Sequence, residues 1–410
     1  MLTDTMAPTK SKTSIENWAL LTAIYITQFM PMSFFFVALV AILRQQGTPL
    51  EQLSLIYIIG LFKVFNFLWA PLVDRFNFGR LGHYRGWMLL MQISTVIALY
   101  ELSQLDIAND LELIFILCML IGLFAATQDI AADALVYRLV PKEDRGLGNS
   151  IQIVGGMVGN LFGAGAILML YPTIGWEGCV FLLMAAMSIS IILLLRFKEP
   201  KFVFEHPTIP ESMKRLGSFW KRPKGGHWFA ILLLYPLGVS LAWGIITPML
   251  VDANWGLDNI GFVVNVIGSS IGILAALSAG WLIKHHGRKN TIRASVLFQL
   301  PGILLLTLIA LGHTDTLTVS LIIASFFLTY TPVSAVLYTL MMDHSSNENP
   351  ATDVALQFSV YSAIGFAAAG VGTALAGQIG YLSVFILAAF AVLIAALATF
   401  TYPFKENKNV

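Results

Sequence analysis

Twelve stretches of mostly apolar residues recur along the chain, each close to the roughly 20 residues that a membrane-crossing helix needs. They read as spans at 16–43, 51–70, 86–104, 111–137, 149–171, 177–196, 227–250, 260–283, 291–312, 317–342, 353–379 and 381–402. Hydrocarbon offers no partner to a bare N–H or C=O, so each run must satisfy its own backbone as a helix. The expected fold class is therefore an all-α membrane protein. Composition points the same way, because only 11% of the residues are charged and 57% are hydrophobic, against about 25% charged in soluble domains. That excludes a soluble two-domain enzyme. A nucleic-acid binder is excluded as well, since 24 Lys+Arg offset by 23 Asp+Glu leave no basic footprint. Cys118 and Cys179 both lie in apolar runs, which leaves no disulfide framework or zinc cluster.

The cations orient the chain. With the N-terminus inside, the inner loops receive Lys10, Lys12, Arg75, Arg80, Arg85, Arg138, Lys142, Arg145, the cluster at 196–224, Lys284, Arg288, Lys289, Arg293, Lys405 and Lys408. Of the 24 cations, Arg44 borders an outer loop and Lys63 lies within a span, which leaves 22 inside. The positive-inside bias then puts both termini in the cytoplasm. The first span is too long and too poorly flanked for a cleaved secretory signal, so it is expected to remain.

Residues 197–226 interrupt the pattern with a charged, Pro/Gly-punctuated strap that has no span. Six spans precede it and six follow, predicting a bundle over 1–196, a cytoplasmic linker at 197–226 and a second bundle over 227–410. The halves echo one another. Trp69-Ala70-Pro71-Leu72-Val73-Asp74-Arg75 leads to Gly79-Arg80 after the second span, and Gly280-Trp281-Leu282-Ile283-Lys284 leads to Gly287-Arg288-Lys289 after the eighth. Paired six-helix units with a site between them are the architecture of many secondary transporters. Gly155, Gly156, Gly159, Gly163 and Gly165 crowd the fifth span, where small residues let helix backbones approach closely.

On these residues the chain resembles the major facilitator superfamily over essentially its full length. Asp74-Arg75 with Gly79-Arg80 is similar to that superfamily's signature between helices 2 and 3, with Ala70 where glycine is usual, and Gly280 to Lys289 resembles a second copy lacking its acidic residue. Gln128-Asp129-Ile130-Ala131-Ala132-Asp133-Ala134, Val140-Pro141-Lys142-Glu143-Asp144-Arg145-Gly146 and Gly175-Trp176 resemble the muropeptide-permease (AmpG-like) and acetyl-CoA-transporter branch. Arg44-Gln45-Gln46-Gly47 running into Leu50-Glu51-Gln52-Leu53 is most similar to the rhizobactin/pyochelin-type siderophore permeases. The resemblance implies two pseudo-symmetric bundles, a cavity lined by helices 1, 4, 7 and 10, and a cytoplasmic gate at Asp74, Arg75, Arg80 and Arg138, where Asp74 latches the halves.

Ionisable residues within spans are costly unless they face a partner or water, which makes them functional candidates. Lys63 lies eight residues before Pro71, and Asp129 nine before Arg138, so at ~1.5 Å per residue both lie about 12–13 Å from the inner face. Equal depth permits a Lys63–Asp129 pair, with Asp133 one turn below on the same helical face. Two readings stay open. The three groups either lock the first bundle as a structural ion pair, or exchange partners so that an aspartate carries a proton. In low dielectric an unpaired carboxyl holds its proton more tightly and an unpaired ammonium releases it.

Tyr25, Gln28 and Phe35 on helix 1, Gln128 on helix 4, Trp243 on helix 7, and Tyr330 and Tyr338 on helix 10 are the candidate substrate contacts. Aromatic faces with a few amides suit a sizeable amphiphilic solute. The resemblance implies a monomeric proton symporter of the bacterial inner membrane importing a ferric siderophore, with a muropeptide or other amphiphilic solute as the alternative. No cofactor or resident metal is expected. The seven histidines are scattered over loops and ends, and there is no Walker-type phosphate loop, so neither membrane-embedded acid–base or metal chemistry nor ATP hydrolysis is expected.

Overall fold

The computed structural model describes residues 14–107, 109–140, 145–200, 219–345 and 350–403, and among these all regular structure is helical. In chain order the long helices are α1 (Ile15–Gln45), α2 (Leu50–Leu68), α3 (Tyr84–Ser103), α4 (Leu111–Leu139), α5 (145–174), α6 (176–196), α7 (Gly225–Asp252), α8 (257–286), α9 (288–310), α10 (Thr316–Asp343), α11 (Pro350–Ile379) and α12 (Tyr381–Thr401). Lys10, Lys12, Lys142, Glu143, Asp144, Lys405, Lys408 and positions 201–218 of the strap lie outside the described residues.

Among the described residues, eleven helical stretches are long and apolar enough to cross a membrane, where the sequence predicts twelve spans. The difference lies at Val154–Arg196, whose 43 residues would reach ~65 Å if straight, twice the ~30 Å of a hydrocarbon core. The chain reverses there at Gly175, φ +66°. Cys179 Sγ lies 3.6 Å from the Ile167 carbonyl oxygen, a pair that a straight helix would separate by ~18 Å. A second loop-free corner at Gly287, φ +72°, joins α8 to α9. The Thr291 hydroxyl closes it by donating to the carbonyls of Leu282 (3.1 Å) and Gly287 (2.7 Å). Both corners use a left-handed backbone that glycine adopts without steric cost.

Close helix crossings follow the small residues. A methyl added at Gly159 of α5 would sit 2.8 Å from the Ile26 carbonyl oxygen of α1, and one at Gly163 2.9 Å from Met30 Cα. The packing role expected for these glycines is therefore what they perform. Gly165 meets Asn265 of α8, and a Cβ on Gly261 would lie 2.9 Å from the Gly165 carbonyl, so α5 and α8 cross almost backbone to backbone. Large apolar side chains such as Leu274, Leu317 and Leu397, each about 70% exposed, cover the outside, where acyl chains replace water as their solvent.

The first six and last six helices meet chiefly toward one end. Tyr57 of α2 donates its hydroxyl to the Gly244 carbonyl of α7 at 3.1 Å, Phe36 of α1 stacks on Phe366 of α11 at 5.1 Å, and Asn160 of α5 reaches Ser269 of α8 at 3.3 Å. Beyond these, at the loop end, Arg44 forks Asp252. The opposite end, which carries the basic loops at 75–85 and 284–289, shows no hydrogen bond between the halves among the described residues. Among the described residues, the polar contacts between the halves lie toward the Arg44 end.

Candidate functional site

The cluster of ionisable groups is built on neighbouring faces of four helices. Asp129 and Asp133, one turn apart on α4, look onto α1, where Tyr25, Gln28 and Phe29 share a face by the same three- and four-residue spacing. Lys63 and Asn66 enter from α2, and Gln152 from α5. Lys63 Nζ lies 3.4 Å from Asp129 Oδ1, so the pair allowed by equal depth does form. The same oxygen accepts a short hydrogen bond from the Gln28 amide, and Asn66 Nδ2 stands 3.4 Å from the other oxygen. The Lys63 ammonium also lies 4.7 Å from the centre of the Phe29 ring, a cation–π contact. Asp133 accepts from the Tyr25 hydroxyl at 3.1 Å and from Gln152 Nε2 at 3.3 Å.

Access differs between the two carboxylates. Asp129 is 5% exposed and lies behind Lys63, whereas Asp133 is exposed. Two carboxylates face one ammonium, so the unprotonated cluster carries one surplus negative charge. Beside it, Gln28 Oε1 and Gln128 Nε2 are buried without a hydrogen-bond partner. A buried orphan amide is costly.

The candidate contacts of the last six helices have a different chemistry. Tyr338 of α10 lies with its ring 5.5 Å from Phe358 and 5.8 Å from Tyr361 of α11. Tyr330 packs on Phe326 and Phe327 at 5.0 and 5.5 Å, and Trp243 meets Tyr57 edge-on at 6.2 Å. The Tyr235 hydroxyl of α7 is buried and unpartnered. These candidates offer rings and phenols, with no ion pair among them.

Phe35, expected among the substrate contacts, is buried, packs 5.5 Å from Phe34 and belongs to the main apolar core. Tyr25 and Gln28 bind the carboxylates, while Gln128 is buried without a hydrogen bond to either. Trp243 and Tyr330 pack against the main apolar core, and Tyr338 against a separate cluster in the last six helices.

Among the described residues, Asp74 and Arg138, expected to gate the basic end, meet Tyr84 of their own half. Asp74 accepts from the Tyr84 hydroxyl at 3.4 Å, and the Arg138 guanidinium lies 5.8 Å from the Tyr84 ring. Arg75 and Arg80 are exposed. The second half carries the opposite arrangement: the loop residue is the base, Arg288, and the end of α10 supplies the acid, Asp343, which Arg288 grips with two nitrogens, Nη2 at 3.0 Å. Sequence reasoning missed the seal at the other end. There Arg44 Nε and Nη2 reach the two oxygens of Asp252 at 2.6 and 2.7 Å, and Tyr381 donates to Asp252 at 2.6 Å. Its signal was present in the sequence, because Arg44 is the lone cation bordering an outer loop.

The sequence profile of the Major Facilitator Superfamily matches residues 21–370, with a second match over 229–410. The chain belongs to the Major Facilitator Superfamily. Like other superfamily members it is a multi-pass membrane protein and a secondary transporter, rather than an enzyme. An uncharacterized protein of Haemophilus influenzae is 29% identical over 360 residues, 84% of each chain. The anhydromuropeptide permease of Escherichia coli is 29% identical over 273 residues, covering 66% of this chain and 55% of the permease. The chain thus aligns with little more than half of that relative's length. Among solved structures, the nucleoside transporter NupG superimposes with a TM-score of 0.69 at 13% identity, covering 94% of this chain and 99% of that one. A D-xylose–proton symporter gives 0.71 at 12% identity, over 94% and 97%. At these identities the superfamily fold is what is shared. The muropeptide-permease branch expected from Gln128–Ala134 has its counterpart in the Escherichia coli relative.

Proposed function

We propose that this superfamily member is a proton-coupled importer of a sizeable amphiphilic solute across the bacterial inner membrane, working as a monomer by alternating access between bundles at 1–196 and 227–410. The basic face is assigned to the cytoplasm with both termini, by the positive-inside bias, which makes the described state inward-facing and sealed outside by Arg44–Asp252. The observation that carries coupling is the cluster itself: Lys63, Asp129 and Asp133, held by Gln28 and Tyr25, with one carboxylate more than it has ammonium. Either a proton or a cationic group of the solute restores neutrality. On protonation an aspartate turns from acceptor into donor and loosens its hold on Lys63, Gln28 or Tyr25, which changes how α1, α2 and α4 grip one another.

For the cargo, an ionic cluster in the first half and aromatic candidates in the second suit a molecule with a charged end and a ring-bearing body. A muropeptide-like solute fits that description, and the 29%-identical permease supports it. A ferric siderophore is the second reading, supported by the resemblance of Arg44–Leu53. That segment forms part of the outer seal, where Arg44 holds Asp252 and a Cβ at Gly377 would strike Glu51, so it bears on gating more than on cargo.

Uptake into energised membrane vesicles tests both parts. Radiolabelled anhydromuropeptide should accumulate above its external concentration when a pH gradient is imposed, and Asp129→Asn should abolish accumulation while leaving downhill exchange. Undiminished uphill uptake by Asp129→Asn refutes the coupling role of that residue. Accumulation of ferric siderophore but not muropeptide moves the cargo to the second reading.

A further inference from the structure

On the basic face of the last six helices lies a concavity of about 1020 Å³. Three separate segments converge on it: Arg222 and Lys224 before α7, Lys284 to Lys289 around the α8–α9 corner, and the ends of α10 and α12 at Asp343 and Tyr402. Five lysines and arginines line it against one carboxylate. Part of that charge is internally compensated, because Arg288 grips Asp343 and Arg222 Nη2 lies 3.0 Å from Asp353. Lys224 contacts a neutral acceptor, the Pro403 carbonyl, at 3.4 Å, and Lys284 projects from the rim, exposed. The surplus is therefore positive. Topology alone asks for cations on this face of the membrane, not for their convergence on one hollow.

The hollow is preorganised. Gly287 and the Thr291 hydroxyl fix the corner that carries the cations. The floor is rigid: His344 stacks on Trp228 with ring centroids 3.9 Å apart and planes 2° from parallel, and its Nε2 meets the Tyr402 hydroxyl at 2.9 Å. Trp228 in turn donates to Gln357 at 2.7 Å. One side of the hollow is lined by His285. Trp281, one turn before His285 and 4.5 Å from its ring, is 55% exposed, the placement of an aromatic at headgroup level.

We propose that this concavity binds a phosphate-bearing anion, presented by an anionic phospholipid at the cytoplasmic surface. Lys224 and Lys284 supply the charge not already engaged by carboxylates, and the rim at Trp281 lets a headgroup enter while its acyl chains stay in the bilayer. An anion bound there joins the end of the strap to the α8–α9 corner, two segments that the described residues link by no ion pair.

Native mass spectrometry of the full chain, with phosphatidylglycerol and phosphatidylethanolamine offered in equal amounts, tests the assignment. Wild type should retain phosphatidylglycerol several-fold over phosphatidylethanolamine. Removing two surface cations with Lys224→Gln/Lys284→Gln should weaken that retention by about tenfold or more, from the ~1 kcal/mol that each basic residue near an anionic surface contributes. Arg196→Gln/Lys198→Gln, which removes two exposed cations from the other half of the same face, should leave retention unchanged. Competition by millimolar inorganic phosphate upholds the site and moves its source to a soluble anion. An equal loss in both double variants, or no preference for the anionic lipid in wild type, overturns the proposal.

Discussion

Asp252→Asn isolates the outer seal. The substitution keeps the shape of the side chain and its bond to Tyr381, and removes the charge that Arg44 holds with two nitrogens at 2.6 and 2.7 Å. A hydrogen bond to a charged group contributes about 1.5–3 kcal/mol when shielded, while fully exposed ion pairs return about 0–1 kcal/mol. With side chains 21% and 31% exposed, this bidentate pair falls between, at about 1–2 kcal/mol. The pair joins helices of opposite halves, so it stabilises only states closed at that end, and its loss moves the closed-to-open ratio by about 5- to 30-fold. Double electron–electron resonance reads this directly from spin labels at Gln46→Cys and Asp258→Cys, both exposed. The native Cys118 and Cys179 are buried and escape labelling. The variant should gain a longer-distance population at the expense of the short one. Distance distributions that superimpose for wild type and variant refute the claim that this pair sets the outer closure.

Other outcomes follow from packing and burial. Gly163→Ala drives a methyl into the Met30 backbone and should cost about 1–3 kcal/mol by overpacking, seen as a fall of several degrees in the detergent melting temperature. Gly226→Ala, with nothing near its Cβ, should melt like wild type. Burial holds the His344 imidazole below its usual range, so the folded chain keeps it neutral while the unfolded chain binds a proton below about pH 6.5. The stability from this neutral histidine is full above that pH and declines as pH falls. The melting temperature should therefore drop more between pH 7.5 and 5.5 for wild type than for His344→Gln.

What could be read without coordinates was what lipid enforces. Spans were legible because the bilayer demands about 20 apolar residues whatever the neighbours are. The Lys63–Asp129 pair was legible because depth along parallel helices is simple counting. Tilt and corner geometry escaped that arithmetic. Gly175 read as part of a loop between two spans, and only its positive φ reveals a joint without one. Phe35 shares helix 1 with Tyr25 and Gln28 but lies more than a turn nearer the Arg44 end, within the main apolar core, and a linear reading cannot tell a packed stretch of helix from one that lines a crevice. Asp252 went unnoticed because several acids border the outer loops, and its partnership with Arg44 exists only once α1 and α7 are seen side by side.

The two-to-one ratio of aspartate to lysine has a consequence for bioenergetics. A binding region that is anionic when vacant and neutral when loaded senses the transmembrane voltage chiefly on the vacant return. With the cytoplasm negative, that step carries the surplus electron charge toward the positive side, assisted by up to about 2.3 kcal/mol per 100 mV if the charge crosses the whole field. Voltage would then accelerate the resetting stroke, and net turnover would generate current even with an uncharged passenger.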